Sequence, residues 1–460
     1  MTPEEFRRIG HQVVDWVADY RERIEEFPVL ATVEPGWVRS QLPQSLPEEG
    51  GGFDDVLTDL DRIMPGITHW QHPAFFGYFP ANASLPSVLG DLLSTGLGVQ
   101  GMLWLSSPAC TELEQHVMDQ LVPAMGLPSK FLGGGVIQDA ASSAALVALL
   151  AALQRSSDGK WRESGVDGRE TVYVSSQTHS SLAKAARMAG LGERSVRSIP
   201  VDTGAMRVDV LAERIQSDVD AGRRPVLVCA TVGTTGTGAV DPLREIAEIC
   251  ERHGIWLHVD AAWAGPVLLC PEWRHLFDGV DRADSFAANA HKWLQTAFDC
   301  SLFWTAYPDT LVDALTILPE FLRNTATESG AVVDYRDWQV PLGRRFRALK
   351  LWSVLRWYGL AGLRSHLRRH IELASRLESW IASDDRFELA APRSLSLVCL
   401  RLKEGDEATR AAMDAVNASG QAFVTHTTVK GRFAIRVAIG ASGTEERHVR
   451  TLWDALRAAA

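Results

Sequence analysis

The stretch Ala288-Asn289-Ala290-His291-Lys292-Trp293-Leu294 decides how this chain is read. Apolar runs flank it, Ser285-Phe286 before and Cys300-Ser301-Leu302-Phe303-Trp304 after. A charged lysine is costly to bury in such company. Desolvation lowers the amine's pKa and makes it a nucleophile of the Schiff-base type. A lone lysine here is more often a surface residue whose stem lies over apolar neighbours. Upstream stands Ile255-Trp256-Leu257-His258-Val259-Asp260-Ala261-Ala262-Trp263-Ala264-Gly265, a short buried strand that ends in a carboxylate. Ligands in open α/β sheets gather at the carboxyl ends of strands, which suits Asp260. Alone, Asp260 is as readily a helix cap or a turn residue.

Together the two residues form the pair that pyridoxal phosphate (PLP) needs. The lysine bonds to its aldehyde carbon, and the carboxylate keeps the pyridine nitrogen protonated. Other segments fit a layered α/β protein. Thr171-Val172-Tyr173-Val174-Ser175 and Val226-Leu227-Val228-Cys229-Ala230 read as further buried strands alternating with helices. That alternation means a mostly parallel sheet. Gly133-Gly134-Gly135 leads to Asp139-Ala140-Ala141-Ser142-Ser143 and an Ala/Leu-rich helix. Small residues at a helix start offer free N–H groups to a phosphate, although many such entries bind nothing. His179 follows a strand end, where a polar cap residue is also common.

Thr2-Pro3-Glu4-Glu5 starts a helix whose apolar stripe (Phe6, Ile9, Val13, Val14, Val17) must pack on something else. Trp70-Gln71-His72-Pro73-Ala74-Phe75-Phe76-Gly77-Tyr78-Phe79-Pro80 is either a core plug or a pocket wall. Thr111 with Glu114 reads as a capping box. From Arg345 a long helix, strands 395–400 and 433–439, and a last helix predict a small α+β unit. The expected division is 1–85, a helical dimerisation segment; 86–345, the large domain; and 346–460, the small one.

The chain has 460 residues and a net charge of −11, so no nucleic-acid footprint is expected. No apolar run is long enough for a membrane span, and no signal-peptide layout is seen, so a cytoplasmic protein is expected. The six cysteines lack Cys-x-x-Cys spacing and read as reduced core residues, with no metal site.

Asn-Ala-His-Lys-Trp-Leu (289–294) and His-Val-Asp-Ala-Ala-Trp-Ala-Gly (258–265) resemble the aromatic-L-amino-acid decarboxylases, group II of the PLP decarboxylases. The resemblance runs along the whole chain. It implies the type I, aspartate aminotransferase-like fold and a homodimer with active sites between subunits. It further implies that Ala141, Ser142, Ser285 and His291 hold the PLP phosphate, that Thr235 and Ala262 contact the ring, and that His179 stacks on it. Lys292 and Asp260 keep the roles above. Trp70, Tyr78, Phe79, Pro80 and Ala81 would line the substrate pocket, with Gln100 and Met102 in its wall. A glutamine there needs a polar partner, such as a hydroxyl on an aromatic L-amino acid. Asp139-Ala140 departs from the family's Gly-Ser, and Asp139 is expected to point away.

Pro319-Glu320-Phe321-Leu322 stands where the family carries Pro-x-Tyr-Leu. The family's tyrosine hydroxyl protonates the substrate's Cα after CO2 leaves. Phe321 has no such proton, and plant relatives with phenylalanine here behave as aldehyde synthases. The expected products are an arylacetaldehyde, CO2, ammonia and peroxide, with O2 consumed. The alternatives are an ordinary amine-forming decarboxylase, with a lid water or His179 as the acid, and a catalytically silent PLP-fold binding protein.

Overall fold

The computed structural model describes residues 1–317 and 331–460. Seven strands build the main sheet: β1 (Gly135–Gln138), β2 (Glu170–Ser175), β3 (Val196–Ile199), β4 (Arg224–Thr231), β5 (Trp256–Asp260), β6 (Ser285–Asn289) and β7 (Ser301–Thr305). Their order is β1-β7-β6-β5-β4-β2-β3. Strands β3, β2, β4, β5 and β6 are parallel. Strand β7 is antiparallel to both neighbours, β1 and β6. The excursion from Asn289 to Ser301 is too short for a helical crossover, so the chain must re-enter the sheet in the opposite direction. The carboxyl ends of β1, β4, β5 and β6 therefore share one end of the sheet.

The strands are buried on both faces, as their unbroken apolar runs require. Helix α1 (Pro3–Glu22) opens with the Thr2–Glu5 capping box and buries no residue. Helix α2 (Leu85–Leu97) exposes Leu89, Leu92, Leu93 and Leu97. Helix α3 (Pro108–Met125) starts earlier than its sequence suggests. Ser107 caps it by accepting from the N–H of Cys110 at 3.3 Å, with Pro108 in the first turn. Ser-Pro is the stronger start signal. Thr111 and Glu114 are consequently not a capping box but fully buried within the helix. Glu114 pairs with Arg344 and accepts from the N–H of Ile137 at 2.7 Å.

Helix α4 (Ala141–Ser157) is apolar nearly all round because it is sandwiched in the core. Helix α5 (Ser181–Met188) follows β2. The long helix expected from Arg345 is α6 (Arg347–Ala382), interrupted at Gly359, whose φ is +61°. Beyond it, β8 (Phe387–Leu389), β9 (Leu397–Leu402), β10 (Thr425–Val429) and β11 (Arg432–Ala438) form an antiparallel sheet in the order β8-β9-β11-β10. Helices α7 (Asp406–Ala418) and α8 (Glu446–Ala458) cover it. Ala74, Phe75 and Phe76 plug this second core. Phe76 hydrogen-bonds through its backbone to Phe423 and Ala438. Gly77 is needed next, because a Cβ there would lie 2.2 Å from the Phe423 ring. No helix among the described residues is long and apolar enough to cross a membrane.

Burial holds His258 down to about 4 and His366 down to about 3, and it lowers His370 as well. The unfolded chain takes up protons on these rings below pH ~6.5 while the folded chain does not. Their stabilising effect is complete above that pH and is lost as pH falls toward about 4. Each ring contributes up to about 1.4 kcal/mol per pH unit in that window. The urea midpoint should therefore fall between pH 7.5 and 5, and His258→Gln should flatten the dependence. A midpoint independent of pH over this range would contradict the assignment.

Candidate active site

Lys292 lies in a single helical turn, Ala290–Trp293, directly after β6. Its carbonyl accepts from Nδ2 of Asn82, whose backbone N–H bonds to the His291 carbonyl at 3.0 Å. The lysine Nζ sits 5.5 Å from the centre of the Phe79 ring. Burial pulls the amine below its ordinary pKa, and the Arg436 charge adds to the effect; Asp260 opposes it. A lysine held this way loses its proton more readily and becomes nucleophilic.

Asp260 ends β5, buried, with Oδ1 accepting from the N–H of Ala262 at 3.0 Å. The Ala262 carbonyl accepts from the N–H of Asn289 at 2.9 Å, which fixes the tips of β5 and β6 together. His179 lies between β2 and α5, with Nδ1 accepting from the N–H of Ser181 at 3.2 Å. That contact places its proton on Nε2. Burial lowers His179 below its ordinary value; Asp260 raises it and Lys292 lowers it. The three groups sense each other's charge, as side chains close together near the carboxyl end of the sheet do.

Phe79 stacks on Trp263 at 4.4 Å, and Trp263 on Trp293 at 5.4 Å. Arg436, on β11, lies 4.2 Å from the Phe79 ring centre. It donates from Nε to the Thr235 carbonyl at 2.7 Å and from Nη1 to the Tyr78 carbonyl. Tyr78 adopts φ +49°, a sparsely occupied region for a bulky residue. Trp70 stacks on Tyr78 at 5.6 Å. Pro80 is buried, and the Ala81 carbonyl accepts from Gln71 at 2.6 Å. The aromatic segment thus splits: residues 74–76 plug the small core and Phe79 reaches Lys292, while Tyr78 is exposed and packs on Trp70 and Phe423.

Gln100 and Met102 are not brought to this cluster. The Gln100 side chain is exposed and its Oε1 accepts from the N–H of Arg344 at 2.9 Å. Its oxygen is thus engaged by backbone, not poised in an apolar wall as expected. The Met102 carbonyl accepts from Arg336 at 3.0 Å. Among the described residues, no hydrogen bond or ring contact joins either to Lys292 or Phe79. Phe321 lies outside the described residues.

The donor set fits a phosphate. Helix α4 begins at Ala141 and Ser142, and its N-cap, Ala140, supplies no side-chain cap. Its first N–H groups have no partner within the helix. Asp139 turns its carboxylate onto the N–H of Ala140 at 2.9 Å. At the same end of the sheet, Asn289 Oδ1 accepts from Ser301 at 2.7 Å, which leaves the amide NH2 to donate. His291 accepts at Nδ1 from the N–H of Cys300 at 2.9 Å, and burial holds it neutral, down to about 3. Its proton is therefore on Nε2, as a donor. Ser285 needs correction. It begins β6, four residues before Asn289 and roughly 13 Å away along an extended strand. Its hydroxyl is engaged by the Trp256 indole at 2.8 Å and by His258 at 2.9 Å. Asn289 takes the place expected for it. Asn289 and Arg436 were both visible in sequence, as an amide at a strand end and a cation inside an apolar strand.

This lysine, acid and anion cradle define a PLP enzyme. The family model described as the pyridoxal-dependent decarboxylase conserved domain matches residues 35–403, and the chain belongs to that family. PLP is its cofactor, and it has the type I fold. The chain is 47% identical to phenylacetaldehyde synthase of Arabidopsis thaliana, over 99% of this chain and 96% of that protein. It is 46% identical to tryptophan decarboxylase 2 of Oryza sativa subsp. japonica, over 99% and 95%. The crystal structure of Oryza sativa TDC with PLP and tryptamine matches with a TM-score of 0.96 at 41% identity, covering 100% of this chain and 98% of that one. The chain thus stands in the aromatic amino acid group of the family, which holds both decarboxylases and aldehyde synthases.

Lys292→Ala should abolish the visible absorbance of lysine-linked PLP. Asn289→Ala should weaken PLP retention by roughly 5–100-fold, the cost of one charge-assisted hydrogen bond. Ser285→Ala should leave retention close to that of the unaltered protein. Equilibrium dialysis against PLP compares them; equal losses at 285 and 289 would contradict the assignment.

Proposed function

We propose that this enzyme converts an aromatic L-amino acid into the corresponding arylacetaldehyde. Bound PLP supplies the electron sink that allows the Cα–carboxylate bond to break. The side chains supply the rest. Lys292, easily deprotonated, is the nucleophile that anchors the cofactor. Asp260 holds the proton on the pyridine nitrogen. Ala141, Ser142, Asn289 and His291 bind the phosphate, and Thr235 and Ala262 border the ring. His179 covers it and faces the substrate carboxylate. Trp70, Tyr78, Phe79, Pro80 and Ala81 enclose the aromatic side chain. A second copy of the chain completes the pocket with Gln100 and Met102. The bare apolar faces of α1 and α2 support such a homodimer.

The observation that carries the aldehyde outcome is Phe321 in Pro319-Glu320-Phe321-Leu322. Its ring bears no acidic hydrogen for Cα. His179 is a poor substitute, because its lowered pKa keeps it neutral near pH 7. Negative charge left at Cα then persists until O2 removes two electrons. The balance is amino acid + O2 + H2O → arylacetaldehyde + CO2 + NH3 + H2O2. The high identity to a phenylacetaldehyde synthase supports this reading, while similar identity to a tryptophan decarboxylase leaves the ring preference open among phenylalanine, tyrosine, DOPA and tryptophan.

With each of these four in air, peroxide and ammonia should form in step with CO2 from the preferred substrate. Phe321→Tyr should divert the product to arylalkylamine. A lost general acid is worth about 10²–10⁴-fold in rate, enough to change the main product. Stoichiometric amine without peroxide in the unaltered enzyme would remove the aldehyde assignment and leave an ordinary decarboxylase.

A further inference from the structure

The chain leaves β4 at Thr231 and returns at Asp241 through a short loop with Thr235 near its tip. The base of this loop is held by its own residues. Val232 pairs with Val240, and the N–H groups of Gly233 and Thr234 donate to the Ala239 carbonyl at 3.0 and 2.9 Å. Thr234 Oγ1 accepts from the N–H of Ala239 at 3.0 Å. The tip is held by the C-terminal unit instead. Three tip carbonyls accept from its side chains: Thr235 from Arg436 Nε at 2.7 Å, Gly236 from Cys399 Sγ at 3.4 Å, and Gly238 from Ser394 Oγ at 2.6 Å. Burial pushes the Cys399 thiol up to about 12, so it keeps the proton that it donates.

The fit leaves little slack. A Cβ on Gly236 would lie 2.9 Å from Thr427 Oγ1 and 3.0 Å from Gln177 Oε1. One on Gly238, at φ +72°, would meet Ser394 Cβ at 2.7 Å. Ser394 stands on a fixed platform, because its backbone exchanges hydrogen bonds with Leu397 at 3.1 and 2.8 Å. Arg436 does several things at once, since it also holds the Tyr78 carbonyl and lies over Phe79. The Ser394 hydroxyl grips the loop alone. Thr235 is exposed, and its own hydroxyl has no hydrogen-bond partner among the described residues.

We propose that Ser394 is a positioning residue for the reaction: by holding the Gly238 carbonyl it sets the Thr235 hydroxyl against the edge of the cofactor ring. The inference rests on the reading of Thr235 as a ring contact, and it does not depend on whether aldehyde or amine is released. Asp260 serves the ring nitrogen, and the cradle serves the phosphate. The phenolic oxygen is the polar atom left on the ring's edge, and a free hydroxyl can meet it. Such a hydrogen bond weakens steeply with a poor angle or a longer distance. The loop that carries it therefore needs support at both ends. Its base supplies one, and a hydroxyl from the C-terminal unit supplies the other.

The test uses PLP-loaded enzyme. PLP is achiral, so its visible circular dichroism reports how firmly the site orients it. The visible band itself, present in the unaltered enzyme and absent in Lys292→Ala, checks the cofactor reading separately; without that band the cofactor reading falls and this proposal with it. With the band present, Thr235→Val should lower the dichroism per bound PLP, and Ser394→Ala should lower it in the same sense. In Ser394→Ala, kcat should fall by about 2–10-fold, the loss of one hydrogen bond expressed as a rate, with KM nearly unchanged. The double variant should match Thr235→Val alone, because one residue acts through the other. Ser379→Ala, at an exposed hydroxyl bonded within α6, should leave both readings unchanged. Unchanged dichroism in Ser394→Ala overturns the proposal alone, and so do losses that add in the double variant. If Ser394→Ala does not fold, Ser394→Cys, with a weaker donor of similar size, takes its place under the same two criteria.

Discussion

The desolvation of one amine governs this architecture. Lys292 can act only if its proton is loosely held, and water would hold it firmly. The chain removes that water with an aromatic column, Phe79 on Trp263 on Trp293. It then sets the Arg436 guanidinium near the same phenyl ring. Asp260 pulls the other way and keeps the amine from becoming merely hydrophobic cargo. The acid is available because β5 ends there, and β5 ends there because parallel strands deliver their carboxyl ends to one side.

The elements that bring these groups together come from distant parts of the sequence. Residues 78–80 arrive from the N-terminal region, Lys292 from the main sheet and Arg436 from the C-terminal sheet. None can form the site alone. The backbone of Phe76 is hydrogen-bonded to the small sheet, so the pocket wall is carried by the C-terminal unit as much as by its own segment.

Sequence patterns showed the main sheet because its buried strands are unbroken apolar runs ending in conspicuous polar residues. Asp260 and Lys292 were legible for that reason, whereas His179, on its own a common polar cap residue, was picked out by the resemblance. The antiparallel return of β7 was not, since periodicity carries no direction; it follows from the brevity of the turn after Lys292. Glu114 looked like a capping partner because local spacing cannot reveal that Arg344, far along the chain, claims its carboxylate. Ser285 failed in a similar way. Strand position decides which end of the sheet a hydroxyl reaches, and Ser285 is at the wrong end, spent on Trp256 and His258. Gln100 and Met102 carry the pocket's resemblance, yet a single chain gives them no route to Lys292. Phe321 was legible only through the resemblance, because a phenylalanine's own chemistry does not say that a proton donor usually stands in its place.

Asn82 is a small side chain with a mechanical consequence. Its amide NH2 grips the carbonyls of Lys292 and Gly440, and its oxygen is gripped by Ser442. It acts as a rivet through two layers of the molecule. Any slip of the C-terminal sheet against the main one must drag the lysine's backbone with it. The reactive nitrogen therefore keeps its aim only while both sheets move as a single rigid piece.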